Sequence, residues 1–431
     1  MEIHTPNWPC WPGMIFLSSQ GATTAKRLAS TKLSINGDLM TATASVARTI
    51  RGAVLNEIGA EAPYAKTRPI TIDTLTLEGP GENELLVRIE AASICHSDLS
   101  VVNGSRPRPV PMLLGHEAAG IVEEIGSGVT DVQVGQRVVL TFLPRCGECR
   151  ECNTDGKLPC SNGSKTNEAG TLLDGSEHLH RGDETVKHHL GCSGFADYAV
   201  VDRRSIVPVG EDVPADIAAV LGCAVLTGGG AVLNAAKVTS EDSVAVVGLG
   251  GVGMAALLTA IGIEPREVIA VDSNEAKLDL AREWGATAAH TPAEAVEQGI
   301  TADVVIEAVG HPRAFETAFK MIGFGGTLVT VGLPAPGAES AIEPLKLTAR
   351  AQSVIGSYLG SAVPSRDIPK FEQLWREGKL PLERLISDTI TLDEINEGMD
   401  ALAAGTVLRQ IIHFPHNEEA TPAAHLATAS A

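Results

Sequence analysis

The rhythm of apolar and polar positions changes along the chain. From Thr49, short apolar segments at 51–55, 84–91, 119–125 and 136–140 are punctuated by Gly, Pro and Asp, which predicts a β-rich region. At Val213 the texture becomes Ala-rich and helical. A short buried strand, Ser243–Val247, then leads through a glycine turn into an apolar helix at 252–260. Strand Glu267–Val271, helix Glu275–Trp284, a strand at 303–307, a helix at 312–322 and a strand at 327–331 continue the alternation. That repetition predicts a parallel sheet covered on both faces. Beyond Tyr358, helical segments at 368–377 and 392–404 and a strand at 410–414 close the pattern. There is no internal repeat.

The 431 residues suffice for two domains with full cores. No apolar run approaches the roughly 20 residues needed to cross a bilayer, so no membrane association is expected. A net charge of −20 opposes binding to nucleic-acid phosphates. Residues 1–49 read as a disordered tail or as the product of an upstream start preceding Met40. From Ile3 to Gly37 there is no acidic residue, and Lys26, Arg27 and Lys32 loosely suggest a transit peptide. Residues 416–431 read as a second solvated tail.

Four of the eight cysteines, Cys146, Cys149, Cys152 and Cys160, lie within fifteen residues. Four thiolates from one loop close a tetrahedral zinc shell with no room for substrate. An iron–sulfur cluster would need its fourth cysteine after three residues, followed by proline, and neither condition holds. Metal thiolates suit a reducing cytoplasm better than secretion.

Gly248-Leu-Gly250-Gly251-Val252-Gly253 follows a buried strand and opens a helix. Its glycines permit a tight turn, close approach of a pyrophosphate, and helix–strand packing. Asp272, nineteen residues after Gly253, would accept hydrogen bonds from the adenosine ribose and repel the extra phosphate of NADP. The cofactor expected is therefore NAD. A third group is dispersed: Cys95-His96-Ser97-Asp98, Gly115-His116-Glu117, and Cys223. Two thiolates and one imidazole leave a fourth zinc position open, as catalysis requires. Spacing alone does not bring these three together.

With these motifs in that order, the chain resembles the zinc-containing medium-chain alcohol dehydrogenases from about residue 51 to 414. The resemblance implies a GroES-like catalytic domain, 50–224 and 359–415, interrupted by a Rossmann NAD-binding domain, 225–358. It implies two zinc ions per chain: a catalytic zinc on Cys95, His116 and Cys223, and a structural zinc on the four-cysteine loop. Asp98 would orient the ligands and Glu117 would be a transient ligand. His96, Lys277 and Arg409 would contact the cofactor, Arg409 and His96 at its pyrophosphate, with Thr227 and Val252 near the nicotinamide. Phe142, Leu190, Leu333 and Tyr358 would line a mostly apolar substrate pocket. Ser97 would pass the alcohol proton to the cofactor ribose. The histidine that often extends this relay is replaced by Ser100. The anion-binding arginine of the glutathione-dependent formaldehyde branch falls at Ser164, which places the chain beside that branch. Cys192 falls at a position that does not ligate metal. The expectation is a cytoplasmic, homodimeric dehydrogenase of apolar primary or secondary alcohols. Thiol-adduct formaldehyde oxidation is the alternative, and a silent zinc-binding scaffold the non-enzymatic one.

Overall fold

The computed structural model describes residues 47–415; of the tails expected at 1–49 and 416–431, residues 1–46, with Cys10, and 416–431 lie outside the described residues. The first strand begins at Arg48, so Arg48 and Thr49 belong to the folded chain and not to a tail. Two β-sheets follow from the short alternating segments. In the first, Arg48–Leu55, Ile70–Leu77, Leu179–Arg181, Glu184–His188 and Met112–Leu113 close into a barrel. The second runs in the order Ile206–Pro208, Arg137–Leu140, Ala118–Ile125, Glu84–Ser93, Arg409–His413, Ile386–Ile390, with Tyr198–Asp202 also on Glu84–Ser93. The strand Arg409–His413 thus returns from the far end of the chain to pair antiparallel with Glu84–Ser93, Ile411 opposite Ser93. That return places Arg409 beside residues of the N-terminal half.

The third sheet is parallel throughout, in the order Ala288–His290, Glu267–Val271, Ser243–Val247, Ala302–Glu307, Ile322–Thr330, Ser353–Gly356. Its strand order reverses direction between Ser243–Val247 and Ala302–Glu307, where ligands of doubly wound sheets bind. Helix Glu275–Trp284 has the expected bounds because its ends carry strong signals. Asn274 accepts a hydrogen bond from the Ala276 N–H, and Gly285 takes a left-handed φ of 117°. The strand expected at 327–331 instead begins at Ile322, with a register break opposite Ala302 and Val304. Gly323, Gly325 and Gly326 interrupt the apolar alternation there and hid its first half.

One expectation is corrected. A continuous helical run from Ala215 to Ala236 is long and apolar enough to cross a bilayer, but 89% of its most apolar 18-residue window is buried inside the protein. A helix apolar all round needs protein on every side as readily as lipid. The run also carries the chain across residues 224 and 225, so no linker separates the expected domains there.

Candidate active site between the two kinds of sheet

Cys95 follows strand Glu84–Ser93 and caps helix His96–Val102. Its backbone N–H donates to Asp98 Oδ2 at 3.0 Å. Asp98 Oδ1 takes His116 Nδ1 at 2.9 Å, and His189 Nδ1 lies 3.2 Å from the same oxygen. One fully buried carboxylate therefore fixes both the start of the helix and the imidazole across from it. The neighbouring imidazoles hold Asp98 below the usual carboxylate range despite its burial. His189, by contrast, is pushed down by burial.

With Nδ1 engaged, His116 has only Nε2 to offer, and that buried atom has no partner among the described residues. The Sγ atoms of Cys95 and Cys223 and the imidazole of His116 lie within 4.8 Å of one another. Cys223 is placed by a π-helical turn, Leu221–Val225, inside the long buried helix; such turns recur at functional sites. Glu117 braces this turn by accepting the Ala224 N–H at 2.8 Å. Cys95 is driven well below the ordinary thiol range by the hydrogen bond from Cys223 and by the Arg409 and His116 charges. An orphaned imidazole nitrogen facing two sulfurs, one of them thiolate-prone, fits a zinc ion with an open fourth position. Burial raises Glu117 to about 7, and its Oε2 lies 3.6 Å from Arg409 Nε.

The four-cysteine loop fits a closed site. Cys146 Sγ lies 3.9 Å from Cys152 Sγ, and Cys149 Sγ lies 3.8 Å from Cys160 Sγ. A tetrahedron with Zn–S near 2.3 Å has edges of about 3.8 Å, whereas a disulfide would be near 2.05 Å. Backbone N–H groups of Cys146 and Gly163 point at Cys160 Sγ, and that of Cys149 at Cys146 Sγ, at 3.3–3.4 Å. Such donors stabilise thiolates. Cys192 is buried outside both clusters, and burial pushes its thiol up.

Between these elements opens a cavity of about 1000 Å³. Cys95, Cys223, Ser97, Phe142 and Tyr358 line one part, and Gly248, Gly250, Gly251, Val252, Asp272 and Lys277 the other. His96, Thr227, Leu333 and Arg409 also face it. The glycine turn is built for close approach. A Cβ on Gly253 would come within 1.7 Å of the Gly248 carbonyl oxygen, whereas one on Gly250 would meet nothing within 4 Å. Gly250 therefore borders open space at the start of helix Gly251–Ile263, where a phosphate is favoured. The buried Arg409 guanidinium has Nε and Nη2 without hydrogen-bond partners, which fits an anionic cofactor. Asp272 Oδ2 accepts from the Leu249 N–H at 2.7 Å and Oδ1 from the Asn274 N–H at 2.9 Å. Its carboxylate thus stands at the turn, facing the cavity.

Leu190 is corrected: it is buried in a left-handed conformation (φ 53°) and does not line the cavity. The turn His189–Ser193, held by His189 N–H donating to Ser193 Oγ, buries it instead. The sequence reading missed His189 and Arg106. The Cys-Ser-Gly turn after His189 marks a fixed bend, and Arg106 stands in an Arg-Pro-Arg-Pro run at the cavity. Ser164 is not among the lining residues.

The chain matches two family models, the alcohol dehydrogenase GroES-like domain over residues 81–211 and the zinc-binding dehydrogenase over residues 251–377. It is similar to an S-(hydroxymethyl)glutathione dehydrogenase of Synechocystis sp., 32% identical over 375 residues, covering 84% of this chain and 99% of that protein. A solved alcohol dehydrogenase zinc-binding domain protein of Burkholderia ambifaria is 32% identical with a TM-score of 0.80, covering 86% of this chain and 100% of that one. A solved benzyl alcohol dehydrogenase of Acinetobacter calcoaceticus is 32% identical with a TM-score of 0.78, covering 85% and 100%.

Proposed function

The chain belongs to the zinc-containing medium-chain alcohol dehydrogenase family, and from that premise we propose that it oxidises apolar primary or secondary alcohols, medium-chain or aromatic, with NAD. The observation that carries the reading is the partnerless His116 Nε2 facing Cys95 and Cys223 at the wall of the cavity into which the glycine turn opens. A zinc ion held by these three residues would acidify a bound hydroxyl, and NAD would accept the hydride. The chain's own residues do the rest. Phe142 and Tyr358 meet edge-on at 5.8 Å and exclude water from one wall. Ser97 lines the cavity beside Cys95 and takes the hydroxyl proton at Oγ. Ser100 donates its own hydroxyl to the His96 carbonyl at 2.8 Å, so it does not extend the relay and water receives the proton. Asp272 favours NAD over NADP by charge. We further propose a cytoplasmic protein.

Similarity to S-(hydroxymethyl)glutathione dehydrogenase favours the second reading, oxidation of a thiol adduct of formaldehyde. Ser164, which lacks a positive charge, speaks against it. A screen of linear, branched and aromatic alcohols, with NAD or NADP, and of formaldehyde with and without glutathione separates the two. NADH formation from aromatic or medium-chain alcohols without stimulation by glutathione is the expected outcome. Stimulation by glutathione with inert alcohols would replace this reading with the second.

A further inference from the structure

The cavity carries a charge that alcohol oxidation does not use. Arg106 lines it with Phe142, Tyr358 and Cys95. Neither Arg106 nor Arg108 has an ion pair or side-chain hydrogen bond among the described residues, and Arg108 Nε is buried without a partner. Arg106 is close enough to disfavour the charge on Arg108, and both act on the Tyr358 phenol. Glu168 is the acidic side chain whose field reaches Arg108, and it forms no ion pair with it. Two half-buried like charges with no counter-ion are costly. Pro107 and Pro109 fix the backbone around them, so the pair is held in place. An incoming anion would relieve this repulsion.

We propose that Arg106 binds a carboxylate on the substrate, with the charge of Arg108 reinforcing it from outside the cavity lining, so that the preferred alcohol is a hydroxy acid with an apolar spacer. This rests on the reading of the cavity as an alcohol site. The nature of the spacer follows from the wall. His116 meets Phe142 edge-on at 5.6 Å and Phe142 meets Tyr358 at 5.8 Å, so the arginines act on the phenol at the far end of an aromatic path from the ligand set. A benzene ring between hydroxymethyl and carboxylate suits that aromatic wall. The arginine fork then pairs with the carboxylate's two oxygens.

Two measurements test it. The first is the ratio of kcat/KM for p-(hydroxymethyl)benzoate to that for benzyl alcohol. We expect about 10-fold or more in the wild type, falling toward one in R106Q and recovering partly in R106K. A wild-type ratio of one or below, or a ratio unmoved by R106Q and R108Q, overturns the proposal. The second is calorimetric binding of p-toluate, which has no hydroxyl to react, to the NAD-loaded protein. It should weaken about 10-fold or more in R106Q, and equal binding overturns the proposal. Loss of turnover with both alcohols while p-toluate still binds through Arg106 would strike the dehydrogenase reading and leave the anion site standing. If formaldehyde with glutathione is oxidised faster than p-(hydroxymethyl)benzoate and R106Q abolishes it, the arginines serve a thiol adduct, and the hydroxy-acid assignment fails.

Discussion

At the scale of single residues, the work falls to carboxylates with both oxygens committed. Asp98 orients His116 and caps Cys95 with two oxygens, while Asp272 holds the turn at Leu249 and Asn274. Replacing Asp272 by Gly and Ser273 by Arg should shift kcat/KM from NAD toward NADP by roughly 10–100-fold, the worth of a charged hydrogen bond gained or lost. A wild type already faster with NADP contradicts the role given to Asp272. A second consequence concerns His188, whose Nε2 accepts the His178 N–H at 3.2 Å while Nδ1 has no partner. Burial, aided by the nearby His178 charge, lowers it to about 3. Its folded value lies below its unfolded value near 6.5, so the unfolded chain binds the extra proton between about pH 3 and 6.5. Stability is therefore lost as pH falls through that window, by about 2 kcal/mol at pH 5 for this group alone. His178 works the other way, since Glu84, 2.8 Å from its Nε2, helps raise it. That buried pair offsets part of the acid loss. Urea unfolding at pH 5 and 8 should show a smaller acid loss in His188→Leu than in the wild type. Identical losses would show that His188 is not the group responsible.

Among elements, legibility followed the strength of local signals. Strands Ser243–Val247 and Glu267–Val271 have the bounds the sequence implies, because each is a continuous apolar run closed by glycine or aspartate. The cysteine loop was equally plain, since its chemistry is local. The helical run Ala215–Ala236 was visible only as Ala-rich texture. Its π-helical turn depends on contacts such as Glu117 with Ala224, 107 residues apart. Edge strand Ser353–Gly356 carries the exposed Val354 and Ile355, with Leu345 exposed nearby in sequence. An apolar open edge is a pairing template, and we propose that it joins two copies of this chain. Light scattering should give twice the 44.9 kDa chain mass, and Ile355→Lys should give the chain mass. A wild-type monomer contradicts the proposal.

At the scale of the molecule, the site exists because distant segments converge. Cys95, His116 and Cys223 are drawn together by the antiparallel pairing of Glu84–Ser93 with Ala118–Ile125 and by the long buried helix. Sequence spacing alone could not show that convergence; the family resemblance implied it. Arg409 arrives through a strand from the other end of the chain. His189 and Arg106, whose local signals name no role, became legible only in three dimensions. The most direct test of the central claim is zinc content measured alongside NAD reduction by benzyl alcohol, in wild type and His116→Ala. The account requires two zinc ions per wild-type chain, and one in a folded His116→Ala protein whose activity falls about 1000-fold or more. Iron in place of zinc, one zinc in a fully active wild type, or a His116→Ala protein that still oxidises the alcohol would contradict it.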